Sequence, residues 1–314
     1  MRDLRIVFMG TPDFAVAILD ALVKAKFNVV GVITAPDKPA GRGRKIQESA
    51  VKKFALEQNL NILQPSNLKQ EDFLNDLKEL NANLQIVVAF RMLPKAVWQM
   101  PEYGTFNLHA SLLPDYRGAA PINWAIINGE TKTGVTTFFI DEKIDTGNII
   151  LKEEVLIGDE EIVGELHDRL MHVGSQLVVK TVKLIESDTV TTIKQPELEE
   201  KSAPKIFTNT CKIDWSEPID KIYNLIRGLN PYPAAWSTLI NGNDEIKVKI
   251  YDVKKIIESN DLKPGTLYSN KHEIKIAVQN GFIVITSLQI SGKKKMDSKS
   301  LLNGFKFHEN AHLQ

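Results

Sequence analysis

The chain has 314 residues, 43% of them apolar and 25% charged, which are ordinary proportions for a soluble globular protein and enough length for two domains. Lysine plus arginine and aspartate plus glutamate number 39 each, so bulk charge does not announce a nucleic-acid partner and any such site must be a local patch. The one cysteine, Cys211, excludes an intramolecular disulfide and fits a reducing, cytoplasmic setting, and no run approaches the roughly 20 apolar residues of a membrane span.

The opening M-R-D-L-R-I-V-F-M-G-T-P is apolar too briefly for a signal peptide. Leu4 to Met9 reads as a buried strand. Thr11 and Pro12 then read as the cap and first residue of a helix that continues through Phe14, Ile18, Leu19 and Leu22. The M-G-T-P-D-F loop between them has a position that often binds phosphate. It lacks G-x-G-x-x-G and a placed acid, which makes a dehydrogenase a poor reading. The loop borders the substrate end of a sheet or is a plain turn.

Asn28 to Thr34 reads as a second strand, Gln47 to Gln58 as a helix and Leu84 to Phe90 as another buried strand. Such runs separated by helices predict an α/β fold with a doubly wound, mostly parallel sheet. Thr133 to Ile140 and Asn148 to Val155 bracket an I-D-T-G turn. Ile162 to Ile185 has helical spacing at Leu166, Leu170, Val173, Leu177 and Leu184. His167 and His172 lack the i, i+4 spacing of a metal pair and read as surface or packing residues.

Glu186 to Ala203 is polar and reads as an interdomain linker. A helix from about Pro218 to Arg227 ends at N-P-Y-P. The short alternating segments I-K-V-K-I-Y-D-V, P-G-T-L-Y, E-I-K-I-A-V and G-F-I-V-I-T-S-L-Q-I then predict a small antiparallel barrel. The expected domains are 1–189 and 209–314, joined by 190–208.

The chemistry concentrates between Thr105 and Ile150. Asn107 and His109 are two residues apart in a strand-like run, so their side chains share a face. An amide that donates to a developing oxyanion and an imidazole that moves a proton suit acyl transfer. Asp145 sits in a turn two residues before Gly147, where it can reach that imidazole. Taken singly, Asn-Leu-His is a strand end with two bonded polar residues. The density of Pro, Gly, Arg, Trp and His around it favours a site. Cys211 reads as a small apolar residue, and Trp124, Trp215 and Trp236 as packing residues.

Two basic clusters stand out. The loop P-D-K-P-A-G-R-G-R-K carries Lys38, Arg42, Arg44 and Lys45, and can order on a phosphate backbone. Lys293, Lys294 and Lys295 form a second patch in an expected hairpin, readable equally as a phosphate contact or a solvated turn.

N-L-H-A-S-L-L-P-D-Y-R-G-A-A-P-I followed by I-D-T-G resembles the core of the formyltransferases that use 10-formyltetrahydrofolate. F-M-G-T-P-D-F-A at Phe8 to Ala15, A-P-D-K-P-A-G-R-G-R-K at Ala35 to Lys45, L-N-P-Y-P-A-A-W at Leu229 to Trp236 and S-G-K-K-K-M at Ser291 to Met296 resemble the tRNA-directed branch of that family. The resemblance covers nearly the whole chain. It implies transfer of formyl from 10-formyltetrahydrofolate to the amino group of methionyl initiator tRNA, for translation initiation. The amine would attack directly, through a tetrahedral intermediate.

On the same resemblance, Asn107, His109 and Asp145 take the catalytic positions. Ser111, Leu112, Leu113 and Pro114 take those of a folate-contacting loop. Phe90, Arg91, Met92 and Leu93 line the pterin pocket, with F-R-M standing where the family often has a Tyr-Gly pair. Arg117 and Gly118 read as architectural, Arg117 pairing with a buried carboxylate or carbonyl. An OB-like C-terminal barrel is implied, with tRNA contacts from both basic clusters, no metal and no nicotinamide. A monomer is expected. The nearest rival is a formyltransferase acting on a sugar amine or glycinamide ribonucleotide, which needs neither the basic loop nor the barrel. An inactive RNA-binding relative is the other, and the intact trio argues against it.

Overall fold

The computed structural model describes residues 1–40, 45–196 and 201–314. Its first strands are β1 Ile6–Gly10, β2 Val29–Ile33, β3 Lys38–Ala40, β4 Lys45–Gln47, β5 Ile62–Leu63, β6 Leu84–Val88, β7 Thr105–His109, β8 Arg117–Gly118, β9 Lys132–Phe139 and β10 Ile149–Leu156. The helices are α1 Asp13–Lys24, α2 Ala50–Glu57, α3 Glu71–Glu79, α4 Lys95–Trp98, α5 Pro121–Ile127, α6 Val163–Glu186, α7 Ile219–Gly228 and α8 Ser298–Leu302. The remaining strands are β11 Ser202–Ala203, β12 Ala235–Asn241, β13 Asp244–Ile257, β14 Leu267–Ser269, β15 Ile274–Val278, β16 Gly281–Ile290, β17 Met296–Asp297 and β18 His312–Leu313.

The chain divides into two compact units. One gathers Met1–Gly118, Gly134–Val155 and His167–Ser202; the other gathers Ala119–Thr133, Leu156–Leu166 and Ala203–Gln314. The first is built on a sheet of order β10-β9-β7-β6-β1-β2-β5. β1, β2, β5, β6 and β7 run parallel, and β9 is antiparallel to β7. Every residue of β1 and β6 is buried, as expected for central strands with both faces covered. Their carboxyl ends leave the same edge: Gly10 lies beside Val88, and Val88 beside Leu108. In open α/β sheets that edge is where ligands bind.

Two local expectations are corrected. Pro12, not Thr11, takes the cap position of α1, in extended conformation and with no side-chain cap bond. Asp13 opens the helix and favours its positive end. Gln47 does not begin a helix. It ends the second arm of a hairpin in which Lys38 pairs with Gln47 and Ala40 with Lys45. The helix starts at Ala50, after Ser49 accepts a cap bond from the Lys52 N–H at 3.0 Å.

In the second unit the strands run β14-β15-β16-β13-β12-β18, with β17 on β16. The ends meet: the Leu313 N–H donates to Gly265 O at 2.9 Å and the Leu267 N–H to Ala311 O at 3.3 Å. The sheet is thereby a nearly closed antiparallel barrel, whose last strand edge is paired instead of open. The helical spacing of Ile219, Ile222, Tyr223 and Ile226 buries one face of α7 in a core with Ile250, Ile276 and Ile283. Each such side chain contributes about 1.5–3 kcal/mol of hydrophobic stabilisation. Asn123 Nδ2 donates to Gly228 O at 2.8 Å, which ties α5 to α7. Buried Arg227 donates to Gly158 O at 3.2 Å and Glu161 O at 3.0 Å, which holds the stretch after β10.

The polar stretch after α6 pairs with β10 at Ile193. Ile149 and Ile193 exchange backbone hydrogen bonds at 2.8 and 2.9 Å. Among the described residues, no helix is long and apolar enough to cross a membrane.

Candidate active site

β7 carries Asn107 and His109 to the carboxyl edge of the sheet on one face. His109 is 6% exposed. Its Nε2 lies 2.8 Å from Tyr116 O. A carbonyl only accepts, so Nε2 bears the hydrogen. Nδ1 then faces Asp145 Oδ2 at 3.8 Å, an ion-pair distance longer than a hydrogen bond. Asn107 is half-buried, and its Oδ1 is a buried polar atom without a hydrogen-bond partner. Such atoms are rare and call for an explanation.

Asp145 is held from several sides. Its φ is 55°, in the left-handed region. Oδ2 accepts the Gly118 N–H at 3.0 Å. Its backbone carbonyl accepts Arg117 Nε at 3.1 Å and Gln195 Nε2 at 3.0 Å. Arg117 thus pairs with a carbonyl, as the sequence reading allows. Gly147 closes the turn against the end of β9, and a Cβ there would sit 1.6 Å from Phe139 O. Only glycine fits that approach. Tyr116, which supplies the other partner of His109, also lies in the left-handed region, with φ 61°. Strained residues of this kind persist where surroundings hold them, and they cluster at functional sites.

The Ser111–Pro114 loop follows directly. Thr136 Oγ1 donates to Ser111 O at 2.7 Å and accepts from the Leu113 N–H at 3.2 Å. Ser111 Oγ donates to Asp115 O at 2.6 Å. Leu112 leans on Gly134, where a Cβ would lie 2.5 Å from its Cδ2. Lys152 is exposed along its stem, but its ammonium turns inward and donates to Leu113 O. Desolvation there pushes the Lys152 pKa below its ordinary value, and Asp115 opposes the shift. The loop is therefore clamped before any ligand arrives.

Ala89 turns the chain out of β6 with φ 47°. Phe90 and Leu93 are half-buried and Met92 is 73% exposed. Arg91 donates to Ser66 O at 3.0 Å and to Pro65 O, and its guanidinium lies 5.5 Å from the Phe90 ring. This gives Arg91 a structural task in holding the neighbouring loop.

The basic clusters fall partly within the described residues. Lys38 is exposed on β3 and Lys45 begins β4, while Arg42 and Arg44 lie outside the described residues. Lys293 to Lys295 form the turn between β16 and β17 and are exposed. Lys295 is paired with Asp252 at 3.2 Å and lies 4.5 Å from the Tyr251 ring. Lys293 lies 5.5 Å from the Phe305 ring. His172 is exposed, and His167 packs edge-on against Phe14 with ring centroids 5.2 Å apart. Trp215 is buried and bonds Ser237 Oγ at 2.9 Å, a packing role.

Sequence reasoning missed Gln195, Thr136 and Lys152. Each acts through partners far away in the chain, and no local motif marks them.

The formyl transferase family profile matches residues 4–182, and that of the formyl transferase C-terminal domain matches residues 205–306. A methionyl-tRNA formyltransferase of Flavobacterium johnsoniae is 61% identical over 312 residues, covering 99% of each chain. One from Bacteroides thetaiotaomicron is 56% identical over 314 residues, covering 98% of each. Solved structures share the fold at lower identity. An N-formyltransferase from Helicobacter canadensis, in complex with folinic acid and dTDP-3-aminofucose, gives a TM-score of 0.65 at 21% identity, over 90% of this chain and 98% of that one. HypX from Aquifex aeolicus in complex with tetrahydrofolic acid gives 0.65 at 17%, over 96% of this chain and 47% of that one. The chain belongs to the formyltransferase family, among the methionyl-tRNA formyltransferases.

Proposed function

We propose that the chain transfers the formyl group of 10-formyltetrahydrofolate to the amino group of methionine on initiator tRNA, which prepares that tRNA for translation initiation. The observation that carries this reading is a buried His109 with Nδ1 turned to Asp145, beside an Asn107 oxygen without a partner. That orphan acceptor fits an incoming amine, which brings N–H donors. The folate supplies a formyl group on N10.

The residues then divide the work. Asn107 Nδ2 donates to the formyl oxygen as negative charge grows there, and Oδ1 accepts from the attacking amine. His109 works at Nδ1, since Nε2 is engaged by Tyr116: it takes a proton from the attacking amine and gives it to N10 as the bond from the formyl carbon to N10 breaks. Asp145 stabilises the ring when it is charged. Ser111, Leu112, Leu113 and Pro114 hold the folate from one side, and Phe90, Arg91, Met92 and Leu93 from the other. The backbone of these loops offers the polar groups a pterin needs.

Lys38, Arg42, Arg44 and Lys45 contact tRNA phosphates, as do Lys293, Lys294 and Lys295. Residues 1–189 carry the folate chemistry, 190–208 join, and 209–314 serve the tRNA. The protein works as a monomer in the cytoplasm. The test is to incubate it with a radiolabelled formyl donor and, in parallel, methionyl initiator tRNA, a sugar amine and glycinamide ribonucleotide. Label in the tRNA alone is the expected result. Label in either small amine but not in tRNA would overturn the reading.

A further inference from the structure

Gln195 comes from the polar stretch after α6, yet it is 5% exposed. The backbone pairing of Ile193 with Ile149 pins that stretch beside the start of β10. Two residues on, Gln195 therefore lies over the Asp145–Gly147 turn. Its side chain is fully used. Oε1 accepts from Arg117 Nη2 at 2.7 Å, and Nε2 donates to Asp145 O at 3.0 Å and Gly147 O at 2.8 Å. The guanidinium can only donate and both carbonyls can only accept, so one amide orientation satisfies all three.

Arg117 completes the frame. It is 8% exposed, and its Nε reaches the same Asp145 carbonyl. The next residue, Gly118, gives its N–H to the Asp145 carboxylate. The dipeptide thus holds both ends of Asp145, and Gln195 locks the dipeptide to the turn. Asp145 needs such a frame. A left-handed aspartate persists only where its surroundings hold it, and its carboxylate must stay aimed at Nδ1 of His109.

We propose that Gln195 is a positioning residue for the reaction. By binding the two carbonyls of the turn and the Arg117 guanidinium, it fixes where Asp145 presents its carboxylate to His109. The inference rests on the catalytic reading of Asp145 given above. Misplacing a catalytic group by about 1 Å costs up to about 100-fold in rate, and loss of a residue that orients one costs about 10- to 100-fold.

The test uses the full chain in four forms: parent, Gln195→Met, Asp145→Ala and the double variant. Turnover and KM for the formyl donor are measured, with thermal melting as a check of folding. The expected result for Gln195→Met is a fall of about 10- to 100-fold in kcat with an unchanged KM. In the Asp145→Ala background the same substitution should cost nothing further, because its effect runs through the missing carboxylate. Parent-like kcat in Gln195→Met would overturn the proposal, and so would full additivity with Asp145→Ala. If Gln195→Met does not fold, Gln195→Glu serves, since it keeps the size and the Arg117 bond but has no donor for the two carbonyls. Parent-like kcat in that variant overturns the proposal equally. Parent-like kcat in Asp145→Ala would instead defeat the catalytic reading itself.

Discussion

The carbonyl of Tyr116 accepts a hydrogen bond from Nε2 of His109 at 2.8 Å, and Tyr116 lies in the left-handed region with φ 61°. One ring nitrogen is therefore committed to the fold. The other faces Asp145. Turning the ring over would break this bond, which costs about 0.5–1.5 kcal/mol. The eight-residue span from His109 to Tyr116, which contains the proposed folate loop, is closed by this bond. The proposed folate loop and the imidazole therefore share one support.

Replacing the trio tests the chemistry. His109→Ala and Asp145→Ala should each lower kcat by about 100- to 10,000-fold with the melting transition retained. Asn107→Ala should lose about 2.7–4 kcal/mol of transition-state stabilisation. The assay is initial rate at saturating formyl donor. Near-parent turnover in any of the three removes that residue from the reaction.

Gly147→Ala should damage both stability and rate. The added methyl would lie 1.6 Å from Phe139 O, so the backbone must shift. Overpacking of this kind costs about 1–3 kcal/mol, read from urea denaturation. Because the same turn carries Asp145, kcat should fall too. A variant with parent stability and parent kcat would mean that the turn relaxes freely.

The Lys152 ammonium links alkaline pH to stability. Desolvation lowers its folded pKa below the ordinary 10.5, so the unfolded chain binds more protons between the lowered value and 10.5. Stability from this group therefore rises with pH across that alkaline window. Lys152→Met should flatten the slope there, by a small amount given the exposed stem. It should also raise KM for the formyl donor, because Leu113 O loses its donor. An unchanged slope together with an unchanged KM would contradict this.

The basic clusters should separate by salt dependence. Arg42→Ala and Lys45→Ala should each lower the log–log salt slope of tRNA binding by about one, with folate affinity level. In the barrel turn, Lys294→Ala should lower the slope more than Lys295→Ala, because Lys295 already faces Asp252 at 3.2 Å. Equal slopes for the parent and all four variants would remove both clusters from the tRNA interface.

The sheet strands were legible because each is a short apolar run between turn residues. Leu4 to Met9, Asn28 to Thr34 and Leu84 to Phe90 contain most of β1, β2 and β6. Element ends were less so. Thr11 is a good cap residue by type, yet Pro12 takes the position. Gln47 continues a helical pattern, yet it pairs with Lys38 in a hairpin. The trio was legible because Asn107 and His109 share a strand face. Asp145 required the turn, whose Gly147 is visible but whose left-handed aspartate is not. Gln195 was illegible: in sequence it is one polar residue among many, and only the Ile193–Ile149 pairing brings it to the site. Barrel closure was hidden for the same reason, because Gly265 meets Leu313 only in three dimensions.

The second unit takes Ala119–Thr133 and Leu156–Leu166 from within the span of the first, so the chain passes between units at 118/119, 133/134, 155/156, 166/167 and 202/203. This sets an order on biosynthesis. Synthesis runs from the N-terminus, so α5 emerges long before Gly228, its hydrogen-bond partner. Gly158 and Glu161 likewise wait for the guanidinium of Arg227. Ile127, which packs against the core that α7 and the barrel strands build, waits in the same way. The dependence holds for breakage as well as for birth. A protease cut in the polar stretch would leave two polypeptides, and the N-terminal one would still contribute α5 and Leu156–Leu166 to the second unit. The nicked protein should elute as one particle in native gel filtration and as two bands only once denatured.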